Sequence, residues 1–195
     1  MARSSTNLRH RILNQARQTL FSEGYRALSM RRLANSVGCT ATSIYLYFQN
    51  KDALFHALID EGIELLHQKL VQAGQSAGEA KDRLQDLAEA FLDFGLKNPE
   101  YYEVMFLLHP EHMERYPAEK YRKARENLEF FAQALAEDAG RPQSPTKKDR
   151  LQANVVWASL HGAVSLLLAG RVDVRLDQEL FLNTLVKQFT QPTSS

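Results

Sequence analysis

Between Thr40 and Lys51 the sequence TATSIYLYFQNK gathers three hydroxyls, two phenols and an ammonium within twelve residues. These groups donate hydrogen bonds to anionic oxygens and to the edges of nucleic-acid bases. Read as a helix, Ala41, Ile44 and Phe48 fall on one stripe that a core can bury, while Thr40, Thr42, Ser43 and Tyr47 lie largely off it. Tyr45 and Tyr47 point at different angles, so their phenols flank the outward face and reach phosphate. Lys51 stands at the start of the next helix, where backbone N–H groups also favour an anion. Leu46 has two readings, contact with a thymine methyl or cover for a helix junction.

Such a stretch needs elements to hold it. Leu8, Ile12, Ala16 and Leu20 recur every four residues and predict a first helix over 6–22, with Gly24 as its stop. Ser29 caps a second helix whose apolar positions are Met30, Leu33, Ala34 and Val37, and Gly38 breaks it. The third helix spans 40–48. Two short helices joined at a glycine after a longer one form a helix-turn-helix, which places the third helix in a major groove. Asn50 caps a fourth helix reaching Gly74, with Leu54, Phe55, Leu58, Ile59, Ile63, Leu66 and Leu70 inward. After a loop at 74–78, helices are expected at 79–97, from Pro99 to before Pro110, and at 117–138, 146–169 and 178–190. The fold class is all-α: an N-terminal three-helix helix-turn-helix domain, residues 1–50, plus a C-terminal helical domain, residues 51–195, with about nine helices in all.

Charge is distributed to match. Met1–Lys51 carries eight basic residues and one acid, Glu23, while the rest holds sixteen basic and twenty-two acidic residues, so a head of +7 precedes a body of −6. A cationic head suits a polyanion. Cys39 is the only cysteine, which fits a reducing compartment. No early apolar run resembles a signal peptide, and residues 163–169 are too short a stretch to span a bilayer, so a cytoplasmic protein with no membrane partner is expected. No P-loop, dinucleotide fingerprint, nucleophile elbow or H-E-x-x-H occurs, so no enzyme is expected. His109 and His112 have a tempting spacing, but Pro110 breaks the helix that would align them, and no metal or other cofactor is expected.

The run from Gly24-Tyr25 to Leu54, with L-S-M-R-x-L-A-x-x-V-G and then S-I-Y-x-Y-F-x-N-K-D-A-L, resembles the TetR family of bacterial transcription regulators. The resemblance implies a homodimer that binds a roughly palindromic double-stranded DNA operator through the head and a small organic effector through the body. It implies that Arg31 reads a base and that Ala41, Thr42, Tyr45, Tyr47 and Lys51 contact DNA. With the hydroxyl residues Ser29, Thr40 and Ser43 these make the candidate DNA face. Cys39 takes the position of a small core residue.

In the body, Trp157, His161 and Gly162 resemble the W-x-x-x-H-G pattern of one C-terminal type in that family, whose last two helices form the dimer interface. That assigns Leu160, Val164 and Leu168, with Leu182, Leu185, Val186 and Phe189, to dimerisation. An effector pocket needs aromatic walls and a few polar hooks. Phe91, Phe94, Tyr102, Phe106, Tyr121, Phe130, Trp157 and His161 supply both, although the same residues suit any helical core. Two readings stay open: an effector-responsive repressor, or a DNA-binding regulator controlled by a protein partner or by abundance.

Overall fold

A computed structural model describes residues 2–75, 80–107, 117–141 and 144–190. No strand occurs among them. In chain order the helices are α1 (Ala2–Glu23), α2 (Met30–Val37), α3 (Ala41–Tyr45), α4 (Lys51–Gly74), α5 (Ala80–Lys97), α6 (Pro99–Tyr102), α7 (Arg122–Asp138), α8 (Lys147–Leu168) and α9 (Gln178–Thr190). The fold is the all-α one expected, with a helix-turn-helix first and a helical body after it.

Several boundaries differ from the sequence reading. Helix α1 starts at Ala2 rather than residue 6, upstream of any apolar period. Helix α3 ends at Tyr45 rather than 48, because the chain tightens: Tyr47 N–H donates to the Ile44 carbonyl at 2.9 Å. The segment expected to start a helix at 117 is a 3₁₀ turn, Ala118–Tyr121, before α7. After α6 the chain continues as a π-helical turn, Glu103–Leu107. Tyr101, Tyr102 and Val104 are all buried around it, more than one α-helical stripe can place inward. Residues 76–79, the stretch holding His109, Pro110 and His112, and residues 142–143 lie outside the described residues.

The chain forms two compact units, Met1–Ile63 with Asn98–Lys120, and Glu64–Lys97 with Tyr121–Ser195. In the first, Ile12, Leu13, Ala16 and Leu20 of α1 meet the α2 stripe Met30, Leu33, Ala34 and Val37, all buried. Each of the larger side chains among them contributes roughly 1.5–3 kcal/mol when covered. In the second, α7 packs on α5 and α8, and α9 packs on α5. By length and composition alone α8 could cross a membrane, but Ala153, Val156, Leu160 and Val164 are buried inside its own unit. A capping box starts α8: the Thr146 hydroxyl accepts from Asp149 N–H while the Asp149 carboxylate accepts from Thr146 N–H. The same carboxylate takes both Arg141 guanidinium N–H groups, at 2.7 and 2.8 Å. Those bonds, the guanidinium first, hold Asp149 far below the usual carboxylate range.

Candidate nucleic-acid interface

The turn comes first, because it sets everything after it. Ser29 sits in extended backbone, and its hydroxyl accepts from Arg32 N–H at 3.2 Å, so α2 begins at a capped end. At the other end Gly38 has φ +73°, a left-handed residue that other side chains strain to adopt. Cys39 N–H then donates to the Ala34 carbonyl and Gly38 N–H to that of Asn35, closing the helix. Arg11 of α1 donates to the Val37 carbonyl, tying the first helix to this turn.

Thr40 caps α3 with its hydroxyl, which accepts from Ser43 N–H at 3.1 Å and shares a 2.8 Å bond with the Ser43 hydroxyl. Ile44 and Phe48 are buried, and the Arg9 guanidinium lies over the Phe48 ring. At about 100° per residue, Thr42 and Leu46 fall opposite that buried pair. Both are exposed, Leu46 by 81% and Tyr45 beside it by 50%. Leu46 therefore covers no helix junction among the described residues. Ala41, Ser43 and Tyr47 are half-buried at the flanks, and Cys39 is half-buried too. Asn50 caps α4 through Ala53 N–H at 2.7 Å, so Lys51 occupies its first turn. The Lys51 ammonium is 5.6 Å from the centre of the Phe55 ring, and burial pushes its pKa down, with Asp52 opposing.

The two arginines that open α2 separate cleanly. Arg32 is engaged with Glu23 at 2.7 Å and with the Ala27 carbonyl. Arg31 is exposed and has no ion pair among the described residues. Adjacent in sequence, they look alike there; only the fold assigns one to structure.

The candidate effector residues divide. Tyr102 and Phe106 lie in the first unit, with ring centres 4.9 Å apart. Phe91, Phe94, Phe130, Trp157 and His161 lie in the second, where Trp157 meets Phe91 edge-on at 4.5 Å and Phe131 at 5.9 Å. Tyr121 stands at the surface, 38% exposed. His161 is half-buried, and burial lowers its pKa. Sequence reasoning missed a polar pair here: His67 Nδ1 lies 2.8 Å from Oδ1 of Asn127, whose side chain is almost fully buried. Nothing in the local pattern around Asn127 marks it as inward except its place on the α7 stripe. An open groove of about 490 Å³ between α4 and α5 is lined by Lys69, Gln72, Asp86, Glu89 and Asp93, not by aromatics.

Of the candidate dimer residues, Leu160, Val164 and Val186 are buried within the protomer and offer no surface to a second copy. Leu168, Leu182, Leu185 and Phe189 are half-buried. The exposed large apolar residues of α8 are instead Leu151, Val155 and Leu166. Between them lies Gly162, where an added Cβ would meet nothing within 4 Å.

Comparison with known proteins agrees with this geometry. Residues 12–58 match the family model described as bacterial regulatory proteins, tetR family. Residues 84–189, more than half of the chain, match the tetracyclin repressor-like C-terminal domain. A nucleoid occlusion factor, SlmA of Haemophilus influenzae, is 30% identical over 92 residues, covering 47% of this chain and 42% of that protein. The chain spans less than half the length of that curated relative. Among solved structures, the protein SCO4313 superposes with TM-score 0.84 at 24% identity, covering 98% of this chain and 99% of that one. AibR, solved in complex with isovaleryl coenzyme A and operator DNA, gives 0.70 at 19% identity over 95% and 99%. At such identities the likeness is one of fold.

Proposed function

We propose, from the premise that this chain belongs to the tetR family of bacterial regulatory proteins and is a DNA-binding transcription regulator, that it is a cytoplasmic, effector-responsive repressor acting as a homodimer on a palindromic operator. The observation that carries the DNA face is the opposition on α3: Ile44 and Phe48 buried, Thr42, Tyr45 and Leu46 exposed. Large exposed side chains on so short a helix gain nothing from the protomer's own core. Small and hydroxyl-bearing neighbours allow a duplex to come close. Ser29 and Thr40 hold the frame through their caps, Arg31 reads a base, and Tyr47 and Lys51 grip phosphate.

Gly162 supports the dimer. A mid-helix glycine costs about 1 kcal/mol against alanine, and no described residue of this protomer lies where its side chain would be. A second copy crossing α8 there, flanked by Leu151, Val155 and Leu166, gives that space an occupant.

For the effector, Trp157, His161 and Ser165 recur every fourth residue along α8, and the Ser165 hydroxyl is buried with no partner among the described residues. The isovaleryl coenzyme A bound by AibR suggests an acyl thioester as the class to test. The second reading, a regulator without a small effector, draws on the close mutual packing of Phe91, Trp157 and Phe131.

The test is selection of duplexes from a random pool by the full chain, then titration of the bound complex with short- and long-chain acyl-coenzyme A. Expected are a palindromic consensus, two chains per duplex by sedimentation, and release by one acyl class. No enrichment sinks the regulator reading. Enrichment without release by any of them favours the second reading.

A further inference from the structure

Leu46 stands out of the first unit more fully than any other large apolar side chain described there: 81% exposed, against 60% for Phe21, 50% for Tyr45 and 44% for Leu107. An exposed leucine by itself is ordinary. This one is fixed in place. Its backbone stays helical, with φ −69° and ψ −23°, and its N–H donates to the Thr42 carbonyl at 3.3 Å. That bond sets Leu46 one α-helical turn beyond Thr42, on the side away from the buried Ile44 and Phe48. Helical Cα–Cβ bonds tilt toward the N-terminus, so Leu46 leans back over the Thr42 turn rather than off the end of α3.

The polar groups around it differ in what they can offer. Thr40 and Ser43 share a bond between their hydroxyls, and Thr40 also caps the helix. Thr42 and Tyr45 are exposed and can bond base edges or phosphate. Leu46 can do neither, because its side chain has no donor and no acceptor.

A duplex on this face presents three kinds of surface. Phosphate oxygens and the donors and acceptors of base edges would lose water to an isobutyl group and gain no bond in return, which weakens binding. Deoxyribose is apolar but the same at every position. In the major groove the apolar group that distinguishes one base pair from another is the 5-methyl of thymine. Covering that methyl with Leu46 removes from water an apolar side chain that folding alone leaves there.

We propose that Leu46 is a specificity-determining residue that reads the 5-methyl group of a pyrimidine in the operator, that of thymine or, where cytosine is methylated, that of 5-methylcytosine. This role rests on the DNA reading above, in which α3 enters a major groove, and adds to it a base-selecting contact that no hydrogen bond supplies.

The test removes the methyl from the DNA and the leucine from the protein, separately and together. In the duplex selected by the full chain, each thymine is replaced in turn, symmetrically in both half-sites, by deoxyuridine, which lacks only that methyl. For the parent we expect one position per half-site where the replacement weakens binding about fourfold per methyl, or about fifteenfold for the pair. Leu46→Ala should bind the thymine duplex as weakly as the parent binds that deoxyuridine duplex, and should lose nothing further on it. Its response to every other deoxyuridine, and its melting temperature, should match the parent's, since Leu46 lies outside the core. Leu46→Met, apolar and of similar reach, should restore the preference. At the same position 5-methylcytosine should bind about fourfold tighter than cytosine in the parent and equally in Leu46→Ala. Selection from an unmodified pool, and from one with 5-methylcytosine in place of cytosine, separates the two sources. Thymine at that position in the first pool assigns the methyl to thymine, and a cytosine enriched there only in the second assigns it to the methylated base.

Equal losses for Leu46→Ala on thymine and deoxyuridine duplexes would mark a sugar contact and overturn the inference. So would a Leu46→Ala chain with the parent's affinity and the parent's response to every deoxyuridine, which would leave this surface to another partner. A parent that selects an operator yet ignores every methyl overturns the role of Leu46 alone. A parent that selects no sequence overturns the DNA reading beneath it.

Discussion

Helices α3 and α8 both set large rings or aliphatic groups beside small hydroxyl residues, yet the fold treats them oppositely. On α3, Tyr45 and Leu46 stand in solvent. On α8, Trp157 is met edge-on by Phe91 and Phe131. A five-residue helix offers one stripe to its core, and Ile44 already fills it. A twenty-two-residue helix has neighbours along most of its length. Exposed bulk on the short helix is therefore informative about a partner, whereas aromatics on the long one are largely spent on packing. That is why the head discloses the face it offers to DNA, whereas the aromatics of the body disclose only its packing.

The contrast within α3 can be broken most forcefully at its buried side. Ile44→Ala should destabilise the head by about 2–5 kcal/mol and abolish duplex binding through unfolding, read by thermal melts and anisotropy together. Thr42→Ala, exposed on the opposite side, should stay within about 0.5 kcal/mol in stability while still weakening specific binding. Equal effects of the two on melting would undo the assignment of faces. A smaller effect is expected at Arg31→Ala: about 1–3 kcal/mol of discrimination lost at one operator position, with the fold intact. A uniform loss over all sequences would make Arg31 a phosphate contact, like Lys51.

How much of this was legible without coordinates follows the same division. All seven apolar positions expected on α4 are buried, as are the four on α2, because a 3.6-residue period has only one way to face a core. Gly38 announced the break after α2, and Ser29 and Asn50 their caps, since those roles are local. What the sequence could not disclose is long-range. The hydrogen bonds from Arg17 to the Tyr101 hydroxyl, and from that hydroxyl to Glu61, join residues with no periodic relation, so no window contains them. The π-helical turn at Glu103–Leu107 follows ordinary helix-forming residues and lies where Met105 meets Gly62, a tertiary contact. Leu160 and Val164 read as an interface because an apolar stripe looks the same whether its own chain or a second copy covers it. Arg31 and Arg32 differ through Glu23, nine residues from Arg32, and the Ala27 carbonyl.

The body offers its own sharp feature in Asp149, whose carboxylate gathers Arg141 and Thr146. Its folded pKa lies below the unfolded value of about 3.9. The unfolded chain therefore takes up the proton first, and this contribution, full at neutral pH, is lost as pH falls below about 4. Melting temperature against pH should show that acid limb in the parent chain and a flatter one in Asp149→Asn. Parallel limbs would mean that other carboxylates govern acid unfolding. Duplex binding at neutral pH should be unaffected, since the bond network lies wholly in the second unit.

The smallest expected change is at Lys51, and it sharpens the distinction between gripping and reading. An ammonium on one phosphate displaces about one counterion, so Lys51→Ala should reduce the slope of log affinity against log salt by about 0.9. Because phosphates carry no sequence, the reduction should be the same on the selected operator and on a random duplex, unlike the loss at Arg31. The Phe55 ring beneath the ammonium keeps the side chain near the helix start, so Lys51→Arg, longer but still cationic, should retain the slope. A salt titration in which Lys51→Ala leaves both slopes unchanged would remove Lys51 from the DNA face and leave Tyr47 as the nearest phosphate grip at that edge of α3.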